Sequence, residues 1–296
     1  MGPVMVVVAG IAASAPAGAD GRASDDLVEI PEWQGFLAKA GVTGSVVVRR
    51  LGQRRTFASD LDDAARGRLP ASTFKLPNLL LALETGVVQD LDQVFRWDGV
   101  PRPITAWNAD LTIRDALQVS AVPVFQRVAR SVGEARMGAW LARLGYGNAE
   151  ISGGVDRFWL DGGLRITPAQ QLDFVERLLS GRLPASTRSQ ALVRDALPAT
   201  PSGCGAVIRG KTGWARPNGG AGPDVGWWVG WVERPGDVWM FAAVVEGPSK
   251  QVLDARRNAV MGVLERLDVV SRSSCRGNSG TLPDAPADPI PAVFRG

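Results

Sequence analysis

The chain has 296 residues, 45% of them hydrophobic, enough for a large core in one domain or in two closely packed ones. Its net charge is only +3, and Lys and Arg form no dense run, which excludes a nucleic-acid partner. Histidine is absent, which excludes an imidazole base, a Ser-His-Asp triad and a His-ligated metal, and two cysteines cannot alone build a zinc or iron–sulfur site. Hydrolytic chemistry here would have to use carboxylates, Lys, Tyr, or a Ser with an unusual base.

The chain opens with MGPVMVVVAGIAASAPAGAD, an apolar core from Val4 to Ala13 followed by small residues and Ala17-Gly18-Ala19. This pattern predicts a secretory leader over 1–19, cleaved after Ala19, and therefore a periplasmic or secreted protein. The apolar run is too short to span a bilayer, so no stable membrane insertion is expected. No Lys or Arg precedes the apolar core, a departure from such leaders that leaves room for a start further upstream. The other reading is a buried N-terminal strand. Export would permit a Cys204–Cys275 disulfide, although Cys275 sits in a polar tail.

Helical spacing of Trp33, Phe36 and Leu37 ends at Gly41. GSVVVRR (44–50) and RRTFAS (54–59) then predict a strand pair around Leu51-Gly52-Gln53. Phe74 to Glu84 is apolar almost all round, the mark of a buried helix. Helical periodicity continues over 111–120, 123–132, 135–144 and 168–179, the last with Thr167 as N-cap and Pro168 at the first helical position. Strand character returns in AVIRGKTGW (206–214), VGWWVGWVER (225–234) and DVWMFAAVVEG (237–247), with a Pro235-Gly236 turn between the last two. Trp228, Val229, Trp231 and Val232 cannot share one side, so the middle strand is expected to be covered on both faces. A final helix is expected over 253–267, and residues 271–296, rich in Ser, Gly, Pro and Ala, read as a disordered tail. The order predicts an α+β, α/β/α-sandwich fold over 20–270. It consists of an antiparallel sheet flanked by helices, with an all-helical subdomain inserted over roughly 76–200.

The chemistry gathers around PASTFKLPN (70–78). Ser72 and Lys75 are three residues apart, on one face of a helix. Ser before an apolar run is also a routine N-cap, and Ser-x-x-Lys alone is a frequent chance match. As a base for Ser72, an ordinary Lys is useless because it is protonated at neutral pH; burial among apolar groups would lower its pKa. Farther along come Ser120-Ala121-Val122 at a helix junction, Tyr146-Gly147-Asn148, and Lys211-Thr212-Gly213 on a late strand. Each has a bland reading, as N-cap, turn and solvent-facing strand, but their joint occurrence in this order is unlikely by chance, and Ser-x-x-Lys together with Lys-Thr-Gly marks serine β-lactamases and penicillin-binding proteins.

From about residue 40 to 268 the chain resembles the class D, or oxacillinase-type, serine β-lactamases. The resemblance rests on PASTFKLPN, LETGV, QVFRWDG, QVSAVPVFQ, YGN, ISGGVDRFWL, KTGW and GWWVGWVE. Val122 distinguishes it from relatives that carry a polar Asn or Asp there. The resemblance implies hydrolysis of the β-lactam amide through a Ser72 acyl-enzyme, with resistance to these antibiotics as the outcome. It implies that Lys75 reacts with carbon dioxide or bicarbonate to become N6-carboxylysine, the general base of both half-reactions, with no other cofactor and no metal. Ser120 becomes the proton relay. Trp159 becomes the donor to the carbamate, and Val122, Phe125 and Leu160 the apolar wall that keeps the amine neutral. Lys211, Thr212, Gly213, Trp214 and Arg256 become the substrate-binding set, with backbone N–H groups of Ser72 and Trp214 as oxyanion hole, and Tyr146 and Asn148 shape the site.

Two relatives by fold compete: a penicillin-sensing domain that acylates without turnover, and a D,D-peptidase. The single short apolar run argues against the first; Val122 and Trp159 argue against the second. Preferred β-lactams, carbapenem hydrolysis and the choice between monomer and homodimer are left open by the sequence.

Overall fold

The computed structural model describes residues 27–270 apart from Cys204. The leader, the tail and the cysteine pairing expected above lie outside the described residues. In chain order the elements are β1 (Leu27–Glu29), α1 (Gln34–Lys39), β2 (Thr43–Arg50), β3 (Thr56–Ala58) and α2 (Leu61–Ala64). Then follow α3 (Lys75–Glu84), β4 (Val94–Phe95), β5 (Leu111–Thr112), α4 (Ile113–Gln118), α5 (Val122–Val132), α6 (Glu134–Leu144), α7 (Pro168–Leu179) and α8 (Thr187–Ala196). The chain closes with β6 (Thr200–Pro201), β7 (Val207–Ala215), β8 (Asp224–Arg234), β9 (Asp237–Gly247) and α9 (Ser249–Arg266).

The main sheet has seven strands in the order β1-β3-β2-β9-β8-β7-β6. Its ladders are antiparallel except at one edge, where β1 runs parallel to β3. The expectation of a purely antiparallel sheet is corrected to that extent: β1 is too short for an alternation to show in the sequence. The β8–β9 hairpin pairs residue for residue from Asp224↔Gly247 to Arg234↔Asp237, so the Pro235-Gly236 turn sets the register of the sheet centre.

Alternation along β8 sends its side chains to two separate cores. Trp227, Val229 and Trp231 pack into the larger one, shared with α3 and α5 to α8. Trp228 and Val232 pack into the smaller one, between the sheet and α1 and α9. The strand is thus covered on both faces, as expected.

Two helices differ at their ends from the sequence reading. Leu111 and Thr112 are extended and pair with Phe95 and Val94. The helix begins only at Ile113, because Thr112 Oγ1 accepts from Asp115 N at 3.0 Å and caps it. It stops at Gln118 because Ser120 turns to a left-handed φ of 58°. The last helix starts earlier than expected, at Ser249, directly after Pro248. Thr167 and Gln170 form the reciprocal capping box at the start of α7.

Candidate active site

Ser72 lies in a 3-10 turn, Ala71–Phe74, that runs directly into α3. The residue capping this turn is Pro70 and the one capping α3 is Phe74, so the N-cap reading of Ser72 gives way: its Oγ is 2.8 Å from Lys75 Nζ. The turn is strained, since Ala71 has a left-handed φ of 49°, a conformation that a β-carbon disfavours by about 1–2 kcal/mol. Surrounding bonds hold it there. Ala71 N donates to Trp159 O at 3.0 Å, Trp227 Nε1 to Leu69 O at 2.8 Å, and Thr73 Oγ1 to Pro70 O at 2.7 Å. Behind Thr73, Gln171 Nε2 donates to its Oγ1 at 2.8 Å and Tyr146 OH donates to Gln171 Oε1 at 3.3 Å. Thr73, Gln171 and Tyr146 are all buried, so the network is shielded from competing water.

Lys75 is the chemical anomaly of the molecule. It is fully buried, with an exposure of 0%, at the start of a helix whose positive dipole end also disfavours a cation. Desolvation, with the charge of Lys211 second, holds its ammonium well below the usual lysine range. Its Nζ sits 5.6 Å from the centroid of the buried Phe125 ring. Among the described residues no carboxylate pairs with it; its hydrogen bond goes to Ser72, so the structure favours the neutral amine, a nucleophile and a base.

Three segments pack against the Ser72 turn and α3. The first is the α4–α5 corner, where Ser120 is left-handed, Ala121 is extended and α5 starts at Val122. Val122 is half-buried one turn ahead of Phe125. The second is the loop between α6 and α7. There Trp159 is fully buried and stacks on Phe74 at 5.0 Å, while its Nε1 has no hydrogen-bond partner. Tyr-Gly-Asn anchors that loop. A β-carbon on Gly147 would lie 2.1 Å from Arg165 O. Asn148 Nδ2 donates to Gly163 O at 3.0 Å and its Oδ1 accepts from Arg165 N at 2.9 Å. Leu160 is half-buried against the larger core.

The third segment is β7. Beyond Ile208 its outer edge has no paired strand among the described residues, because β6 engages only Val207 and Ile208. Gly213 lets this open edge approach the Ser72 turn: a β-carbon there would meet Pro70 O at 2.9 Å. Alternation puts Lys211 on the same face as Gly213, with Nζ donating to Thr212 O at 3.1 Å. Thr212 and Trp214 leave on the other face. Trp214 packs with the smaller core and donates through Nε1 to Asp224 Oδ2 at 2.6 Å. Arg256, buried on α9, reaches the strand from that side and donates through Nη1 to Gly213 O at 2.7 Å.

Of the residues singled out from sequence, Ser72, Lys75, Phe125, Trp159, Lys211 and Gly213 are thus gathered at one place. Ser120 and Val122 lie at the adjoining helix corner, while Arg256 and the Trp214 indole lie behind the strand. Sequence reasoning missed Gln171, Thr73 and Trp107; Trp107 Nε1 donates to Val119 O at 3.0 Å, next to Ser120. Nothing local in the sequence marks these tethers.

A half-buried Ser bonded to a buried Lys at the open edge of a Lys-Thr-Gly strand defines a serine acyl-transfer site, and the comparisons agree with that class. Residues 46–264 match the family model for the penicillin binding protein transpeptidase domain. Beta-lactamase OXA-10 of Pseudomonas aeruginosa is 39% identical over 265 residues, covering 90% of this chain and 97% of its own. Beta-lactamase OXA-48 of Klebsiella pneumoniae is 41% identical over 242 residues, covering 82% and 90%. Among solved structures, FUS-1 (OXA-85), a class D β-lactamase from Fusobacterium nucleatum subsp. polymorphum, superposes with a TM-score of 0.77 at 31% identity, over 82% of this chain and 100% of that one. The class D β-lactamase YbXI from Nostoc gives 0.75 at 35% identity, over 80% and 98%. The chain belongs to the class D serine β-lactamases.

Proposed function

We propose that this protein hydrolyses the amide of β-lactam antibiotics through an acyl-enzyme on Ser72, with Lys75 carboxylated on Nζ as the base for both acylation and deacylation, and that it thereby confers resistance. The observation that carries the reading is the Trp159 indole: a fully buried donor with no acceptor, stacked on Phe74, the residue before Lys75. A buried donor left unpaired costs about 1–3 kcal/mol. A carboxylate on Lys75 Nζ would supply the acceptor, and a neutral amine is the form that attacks carbon dioxide, forming the N–C bond and losing one proton. Bound in this way, carbon dioxide supplies a carboxylate base at Lys75 in a chain that has no imidazole.

In acylation, Ser72 Oγ attacks the lactam carbonyl carbon and its proton passes towards Lys75. The oxyanion forms at the start of the helix, where the first N–H groups have no intrahelical acceptor, including that of Ser72; the Trp214 N–H of the open β7 edge is the second donor. The C–N bond breaks, and Ser120 passes a proton to the departing nitrogen. Lys211, with Thr212 and Arg256 behind it, attracts the substrate carboxylate. In deacylation a water gives up its proton on the Lys75 side, attacks the acyl carbon and releases Ser72. Export, as the leader pattern at 1–19 suggests, would place this chemistry between the antibiotic and its targets.

The test is a time course with a chromogenic cephalosporin on purified protein, with and without added bicarbonate. Complete hydrolysis over many turnovers is expected, with bicarbonate raising the rate most at mildly acid pH. As pH falls, the amine protonates and the carbamate is lost, so the activity limb is on the acid side. A stoichiometric burst followed by silence would overturn the hydrolase reading in favour of an acylating sensor. Isotopically labelled bicarbonate should also give a carbamate carbon signal that Lys75→Ala abolishes; its absence from active wild-type enzyme refutes the base.

A further inference from the structure

Ser120 occupies a conformation that its own chemistry does not favour. At φ 58° it is a non-glycine residue in the left-handed region, which is stable only if neighbouring peptide planes are fixed from outside. The plane after it is fixed by main chain, Ala121 N donating to Ala116 O at 2.8 Å. The plane before it joins Val119 C=O to Ser120 N–H. Ser120 N donates to Leu117 O at 3.2 Å, and Val119 O accepts from Trp107 Nε1 at 3.0 Å. Rotation about Ser120 N–Cα starts from that plane, so the indole bond on its carbonyl side helps set where the hydroxyl points.

The anchor is itself firmly held. Trp107 ends a 3-10 turn, with its N donating to Ile104 O at 2.9 Å. The surrounding loop is closed by a reciprocal pair: Arg102 N donates to Asn108 Oδ1 at 2.8 Å and Asn108 Nδ2 to Arg102 O at 2.9 Å. Farther out, Asp110 joins the loop's ends, accepting from Trp97 N at 2.8 Å and Arg96 Nη1 at 2.7 Å. A braced loop outside the helical layer thus delivers one donor to the peptide beside the relay residue.

We propose that Trp107 is a positioning residue for Ser120, its indole N–H clamping the Val119–Ser120 peptide so that the hydroxyl is aimed at the departing nitrogen. The proposal rests on the relay role given to Ser120 above. The experiment is a double-mutant cycle of Trp107→Phe and Ser120→Ala, read as single-turnover acylation rates, with KM and thermal midpoint measured beside them. Trp107→Phe keeps a ring and removes the donor. It is expected to slow acylation about three- to ten-fold, the effect of one neutral hydrogen bond, with KM unchanged. In the Ser120→Ala background it is expected to have no further effect. An equal slowing in both backgrounds, no slowing in either, or a rise in KM alone would overturn the clamp. Ser120→Ala without effect would refute the relay instead, a separate failure visible in that single variant. If Trp107→Phe lowers the thermal midpoint, benzothienylalanine at position 107, which replaces the N–H by sulfur without changing shape, gives the same readout.

Discussion

The two faces of the central sheet are built on opposite terms. The face under α1 and α9 is mostly apolar packing: Trp228 against Phe241 at 4.6 Å, then Val245, Val252, Val260 and Val263, all buried, with Arg256 and Asp224 as its buried charged residues, each hydrogen-bonded. Its nearest left-handed non-glycine residue is Asp268, just past the end of α9, where such a backbone is an ordinary helix terminator. The face under α3 and α5 holds a buried lysine, two unpartnered side-chain atoms at Asn78 Oδ1 and Trp159 Nε1, and left-handed residues at Ala71, next to Ser72, and at Ser120. One face is built mainly for stability; the other carries local penalties that packing alone does not explain.

Substitutions can break this contrast. The largest effect is expected from Ser72→Ala, which should lower turnover by about a thousand-fold or more while leaving the thermal midpoint intact or raised; loss of stability in proportion to activity would contradict the division. On the other face, Phe241→Ala should cost about 3–5 kcal/mol of stability by denaturant titration, with kcat per folded molecule unchanged. A changed kcat would show that the two faces are coupled. Lys75→Met should abolish turnover yet stabilise the protein freed of bicarbonate. The sign follows from the lowered pKa. Between the folded and unfolded values the unfolded chain binds the extra proton, so wild-type stability rises with pH through that interval, and the variant should lose that rise in thermal scans across pH. The smallest effect is expected for Trp159→Phe, which keeps the stack on Phe74 and removes the donor. Deacylation should slow about ten-fold, the worth of one hydrogen bond to a charged group, with a greater need for bicarbonate; an unchanged need would remove the indole from the base.

Much of this was legible in the sequence where the determinant is local. The α7 start is written in Thr167-Pro168 with Gln170, and the hairpin of β8 and β9 in its Pro-Gly turn. The Ser72–Lys75 pair needs only helical spacing, and the absence of His turned attention to Lys75. Segments whose structure depends on distant partners were not legible. The short β1 exists only because β3 offers it an edge, Leu111 is extended because Phe95 pairs with it, and α8 went unread. The Gln171–Thr73 tether spans 98 positions and leaves no periodic trace. Trp159 entered through family resemblance, since no spacing rule connects a loop tryptophan to a lysine more than eighty residues earlier.

Asn148 gives the loop geometry a wider meaning. The residue is exposed, yet its amide grips both Gly163 O and Arg165 N, at the point where the chain returns from placing Trp159 in the interior. The depth of that indole is therefore set from the solvent side, like the reach of a probe fixed by its collar. Variation on the accessible rim would thus shift the position of a buried aromatic without touching any buried side chain.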